Sequence, residues 1–145
     1  MQRGFSLIEL LIVIAIILII AAIAIPSLMR GRIAANEASA VSAVRSITSA
    51  QLQYKMAHDI YAPDMASLGT GNAELLNGDL GTAPFIKSGY QFNTVGTDNT
   101  FLANGSPTNP GANGIRSFCT DTPAVIRYAP GGEVCDPATS PVLAQ

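Results

Sequence analysis

The stretch RGFSLIELLIVIAIILIIAAIAIP, Arg3 to Pro26, decides how this chain is read. Sixteen consecutive apolar residues run from Leu10 to Ile25, and one acid, Glu9, stands just before them. From Phe5 to Met29 the segment has 25 positions, and only Ser6, Glu9, Pro26 and Ser27 are off-pattern. About 20 apolar residues are enough to cross a bilayer as a helix. A secretory signal peptide fits less well, because its apolar core is roughly 7–15 residues long and ends at a small-residue cleavage site. Here the run is longer, and Ala21-Ala22-Ile23-Ala24 lies inside it. A plain membrane anchor fits the length but leaves Glu9 unexplained. A charge at the centre of a membrane helix costs roughly 2.5–3.5 kcal/mol, and an acid in such a segment is a functional candidate by default.

Helical signals continue past the apolar run. Apart from Pro26 and Gly31, no strong breaker occurs before Ala62-Pro63. Ile33, Glu37, Val41, Val44, Ile47, Gln51 and Tyr54 recur at spacings of three and four, an amphipathic face with two polar interruptions. Ala35, Ala38, Ala40, Ala43 and Ala50 thin much of the remaining helix surface. One helix from about Phe5 to Ala57 would be roughly 80 Å long. A bitopic anchor more often has a flexible linker after its span. His58 reads as a solvated residue at the helix end, favourable to the helix dipole when protonated.

Residues 69–87 read as a connecting loop with one short helix, Ala73 to Asn77. From Gly89 the period changes to two. GYQFNTVG and NTFLANG form a hairpin through Gly96-Thr97-Asp98, and IRSFCT and AVIRYA are two further strand candidates. SPTNPGANG between them is loop. The expected fold class is α+β, a long N-terminal helix against a small antiparallel sheet of about four strands.

Composition excludes several functions. Net charge is -2 with no basic patch, so nucleic-acid binding has no electrostatic footprint. There is no HExxH, no phosphate-binding glycine loop and no nucleophile motif around His58, so an enzyme is not expected, nor a cofactor. Asp121, Glu133 and Asp136 are three acids that could approach a Ca²⁺ near the C-terminus, although such residues more often serve turns and solubility.

Gly4-Phe5-Ser6-Leu7-Ile8-Glu9 strongly resembles the start of a type IV pilin or a type II secretion pseudopilin. In that family a short basic leader ends in Gly, a prepilin peptidase cuts after it and methylates the new N-terminal Phe, and the fifth mature residue is Glu. The resemblance therefore implies a leader over residues 1–4, cleavage after Gly4 and methylation of Phe5. It also implies a membrane and polymerisation half-helix over residues 5–29. The extracytoplasmic domain, including the second half of the helix, would occupy residues 30–145. Pro26 falls where the family usually carries a helix-kinking proline, and Leu18 stands where many members carry a glycine. The resemblance is strongest over residues 1 to about 60 and looser beyond.

The family pairs this Glu with the N-terminal amine of a neighbouring subunit, so Glu9 and Phe5 become the assembly and register residues. The resemblance implies a single-pass inner-membrane form with its N-terminus in the cytoplasm, stored before assembly into a surface fibre. Its partners would be copies of itself, the prepilin peptidase, and an assembly platform with its ATPase. Two cysteines in an exported domain suggest a disulfide, and many pilins carry one near the C-terminus, which implies a Cys119–Cys135 link. The implied function is a pilus subunit for motility, adhesion or DNA uptake. The alternatives are a major pseudopilin, a minor pilin, or an anchored periplasmic binding domain that does not polymerise.

Overall fold

The computed structural model describes residues 5–70 and 73–143. A single helix, α1, runs Leu7–His58 and contains Pro26. The chain divides into two compact units, one ending at Arg32 and the other beginning at Ile33. In the first unit the apolar residues from Phe5 to Met29 are exposed on all sides of the helix, apart from a half-buried Ala21. A helix that is apolar all round has no polar face to give to water and is one that lipid or other protein surrounds.

The second unit has a conventional core. It contains the remainder of α1, a four-residue helix α2 (Met65–Leu68), and five strands: β1 (Ile86–Lys87), β2 (Tyr90–Gly96), β3 (Phe101–Pro107), β4 (Ser117–Asp121) and β5 (Arg127–Ala129). The strands form one antiparallel sheet in the order β1-β2-β3-β4-β5. Together these elements make an α+β, pilin-like fold. The sheet has five strands where about four were expected. The extra strand, β1, is two residues long and too short to show a period-two pattern. The expected hairpin is present, with Tyr90 opposite Pro107 and Gly96 opposite Phe101. Its turn is closed by the Thr97 N–H donating to the Thr100 carbonyl at 2.8 Å.

Alternation in β2 sends Tyr90, Phe92 and Thr94 to the helix side and leaves Gln91, Asn93 and Val95 exposed. Phe101, Ala103 and Phe118 join the same core as Val44 and Ile47 of α1. Ala40, Ala43 and Ala50 are buried in that core as well. Of the five alanines expected to thin much of the remaining helix surface, these three share the core with Tyr90, Phe92 and Phe118 of the sheet. Ser117 to Thr120 of β4 are buried on both faces. Phe118 faces the main core, while Cys119 forms a separate small cluster with Ala129 and Cys135 on the opposite face.

Ala73 to Asn77 is not helical. Glu74 has φ 53°, which interrupts a right-handed helix. The N–H groups of Leu75 and Leu76 both donate to the Leu68 carbonyl, at 3.0 and 2.9 Å. A short 3₁₀ turn follows at Gly78–Leu80. The loop also contributes to the core, since Leu76 and Leu80 are buried. Asp64 caps α2, accepting from the Ser67 N–H at 2.8 Å and its hydroxyl at 2.7 Å.

Candidate functional site

Two sets of residues bear on function, one in each unit. In the first, α1 begins just after Phe5 and Ser6. The Ser6 carbonyl accepts from the Glu9 N–H at 3.1 Å and the Leu10 N–H at 3.3 Å, which fixes Glu9 in the first turn. An acid there complements the positive end of the helix dipole. Phe5 is 84% exposed, and Glu9 is exposed too. α1 is long and apolar enough to cross a membrane, and none of its most apolar window is buried. Gly4 and the rest of the expected leader, residues 1–4, lie outside the described residues. Pro26 lacks the N–H that would bond the Ala22 carbonyl one turn earlier.

The second set fastens the sheet and its loops to α1. Glu37 is buried, and its Oε1 accepts from the backbone N–H groups of Ile115 and Arg116 at 3.0 and 3.1 Å. Its Oε2 accepts from Arg116 Nε at 2.9 Å and Nη2 at 2.6 Å. Burial works to raise the Glu37 pKa, but the Arg116 hydrogen bonds, the two backbone donors and the Arg116 charge outweigh it and hold the carboxyl below its ordinary value. Beside it, Asn36 Nδ2 donates to the Asn113 carbonyl at 2.9 Å, and the Tyr90 hydroxyl donates to the Arg116 carbonyl at 2.8 Å. Burial, with the Glu37 charge adding to it and Arg116 opposing, pushes the Tyr90 hydroxyl up to about 12. Gly114 makes this contact possible, since a Cβ there would collide with the Tyr90 hydroxyl.

Gln51 is the counterpart at the other end of the buried face of α1. Its Oε1 accepts from the Ala62 N–H at 2.8 Å. Its Nε2 donates to the Ala62 carbonyl at 3.1 Å and to Thr94 Oγ1 at 2.9 Å. Sequence patterning placed Glu37 and Gln51 on the correct face but as interruptions of it. Their role as buried clasps was missed. The available signal was that two polar side chains recur in register with an apolar stripe, where a buried polar group needs partners.

Cys119 and Cys135 are joined in a disulfide. The suggested calcium acids are not gathered into a site. Among the described residues no group of three or more acids, histidines or cysteines could hold a metal ion. Asp136 is engaged locally, accepting from the Ala138 N–H at 2.9 Å and the Thr139 hydroxyl at 3.2 Å. Asp121 ends β4, where its carbonyl accepts from the Ala124 N–H at 2.8 Å. Glu133 is exposed beyond a 3₁₀ turn. His58 is exposed at the end of α1, with its ring 4.2 Å from that of Tyr54.

An exposed apolar half-helix and a compact α+β domain clasped onto the other half define a pilin-like protein. Residues 1–25 match the family model described as the prokaryotic N-terminal methylation motif. Over 99 residues the chain is 31% identical to the type IV major pilin protein PilE of Neisseria gonorrhoeae, covering 68% of this chain and 59% of that one. It is 41% identical over 66 residues to the type IV wide pilus major component PilA4 of Thermus thermophilus, covering 46% of this chain and 50% of that one. It is also 38% identical over 60 residues to the type II secretion system core protein G of Pectobacterium carotovorum, covering 41% of this chain and 38% of that one. The chain spans no more than 59% of the length of these relatives. It is thus a homologue of type IV pilins and of a type II secretion pseudopilin.

Proposed function

We propose that this chain is the major structural subunit of a type IV pilus. Cleavage after Gly4 and methylation of Phe5 by a prepilin peptidase mature it. Before assembly it rests as a single-pass inner-membrane protein with its N-terminus in the cytoplasm. An assembly platform and its ATPase then transfer it into the fibre. The observation that carries the reading is the apolar segment from Phe5 to Met29, exposed on its own and headed by a single acid. Such a surface requires either lipid or other copies of the same helix around it, and a fibre supplies the second. The similarity to PilE and PilA4 supports the pilus assignment.

Phe5 and Glu9 are the assembly residues in this reading. Once cleaved, Phe5 carries an α-amine that is charged near neutral pH. An amine and a carboxylate are each costly in an apolar bundle and much less so as a pair. Pro26 provides the bend that lets packed helices adjust. The head-to-tail contact does not close, so it propagates into a helical filament. Electron microscopy of sheared surface fibres, with the subunit identified by intact mass, tests the reading. Long fibres of this subunit at native expression are expected. The similarity to core protein G favours a second reading, a secretion pseudopilin, for which fibres would appear only on overexpression and deletion would block protein secretion.

A further inference from the structure

Between α1 and the C-terminal segment lies a groove of about 450 Å³. Arg45, Thr48 and Ser49 line one wall, and Val125, Ile126 and Val142 line the other. The second wall is backbone-fixed: the Tyr128 N–H donates to the Pro141 carbonyl at 3.0 Å, and the Leu143 N–H to the Ile126 carbonyl at 2.9 Å. Arg45 is exposed at the rim and has no hydrogen-bond acceptor or ion-pair partner among the described residues. The groove is therefore apolar on one side with an unneutralised cation on the other.

A complementary feature projects from the far face of the sheet. Cys135 is tied to Cys119, which points away from the main core, so the segment before Cys135 lies over the side opposite α1. Its tip is Glu133-Val134. Val134 is 81% exposed, the exposed Glu133 carboxylate has no partner among the described residues, and the disulfide anchors the loop immediately after them. An acid followed by an exposed valine matches a groove with a lone arginine and a valine-isoleucine wall.

We propose that the Glu133-Val134 tip of one copy docks into this groove of a neighbouring copy. The Glu133 carboxylate pairs with Arg45, and Val134 packs against Val125, Ile126 and Val142. The occupant is a second copy of this chain because the unpaired acid and exposed valine that complement the groove's unpaired arginine and apolar wall are its own. Donor and acceptor lie on opposite faces of one sheet, so each copy can give and receive at once. Such a contact is heterologous and extends a filament without closing a ring. The docking rests on the filament reading above and specifies how the globular domains interlock in it.

Charge reversal in the full-length subunit at native expression tests the interlock. Arg45→Glu and Glu133→Arg each place like charges together and should lower the number of surface fibres about tenfold, while the double reversal should recover most of them. Membrane pools of all variants should match the wild type, because both residues are exposed and without partners. In a subunit with native charges, a benzophenone amino acid at position 134 should cross-link to residues 45–49, 124–126 or 142–143 of another copy. Single reversals with as many fibres as the wild type, a double reversal that does not recover, or cross-links that map elsewhere would each overturn the docking while leaving the filament reading standing. A wild-type strain that makes no fibres at any expression level would instead overturn the filament reading itself.

Discussion

Glu37 and Arg116 are separated by 79 positions in sequence, yet the guanidinium of one meets the carboxylate of the other through Nε at 2.9 Å and Nη2 at 2.6 Å. The same carboxylate accepts the backbone N–H groups of Ile115 and Arg116, so a single side chain on α1 holds the whole entry to β4. The pair also sets the electrostatics around Tyr90, whose hydroxyl donates to the Arg116 carbonyl.

Removing one partner leaves the other badly matched. Arg116→Leu should destabilise the full-length protein in detergent by about 2 kcal/mol, the scale of hydrogen bonds to a charged group. Because the folded-state Glu37 value is lowered, its contribution is fully present above the ordinary value of 4.5 and is lost as pH falls through the folded value. Glu37→Gln should therefore flatten the acid limb of a stability-versus-pH curve. Denaturant titrations from pH 3 to 7 on both variants would show it. An acid limb unchanged by Glu37→Gln would assign the acid sensitivity to another group.

Gln51 presents a neutral version of the same device. Gln51→Leu conserves helix propensity and apolar volume but strips partners from the Ala62 N–H, the Ala62 carbonyl and Thr94 Oγ1. Thr94 keeps its bond to the Leu102 carbonyl at 2.8 Å, so the cost falls mainly on Ala62. A loss of about 2 kcal/mol is expected, read as a lower denaturation midpoint. A midpoint equal to the wild type would mean that water replaces the amide without penalty.

The Cys119–Cys135 disulfide spans a separation of 16 residues and ties the segment after β5 back to β4. Replacing both cysteines with serine should cost roughly 3 kcal/mol in the chain-entropy account and lower the steady-state subunit level. Non-reducing peptide mapping of native fibres should recover the linked pair. Two alkylatable thiols in those fibres would remove the staple from the assembled state.

How far these features could be read in advance follows from the range of each interaction. The helix was legible because its signals are local: an uninterrupted apolar run, then a stripe of period 3.6 from Ile33 to Tyr54. β2 and β3 were legible because seven-residue strands display alternation. β1 is two residues long and exists only by pairing Ile86 with Gln91 and Lys87 with Tyr90, a fact no local pattern carries. The loop from 69 to 87 was misread because Leu76 and Leu80 turn into a core whose other walls come from distant segments. The partners of Glu37 and Gln51 were hidden for the same reason. Glu9 was conspicuous without any structure, since one acid among apolar residues needs no fold to stand out.

That acid carries the final prediction. Glu9 is held in the first turn of α1, exposed, with no ion-pair partner among the described residues of its own chain. In the filament reading proposed above, a neighbour's N-terminal amine meets this carboxylate, which gives an acid in a membrane segment its use. Glu9→Gln is easier to insert, and the subunit should still reach the membrane and be cleaved after Gly4. Fibres should nevertheless fail or become sparse, because an amine buried without its counter-charge is costly and the register cue is gone. Glu9→Asp shortens the reach by one methylene and should be intermediate. Gly4→Val serves as the control for processing: the leader should stay attached, with no free amine on Phe5 and no fibres. Counting fibres and weighing membrane subunits by intact mass, side by side for the three variants and the wild type, separates insertion, cleavage and assembly. Normal fibre numbers with fully cleaved Glu9→Gln subunits would make Glu9 a headgroup-facing residue and end the pairing account.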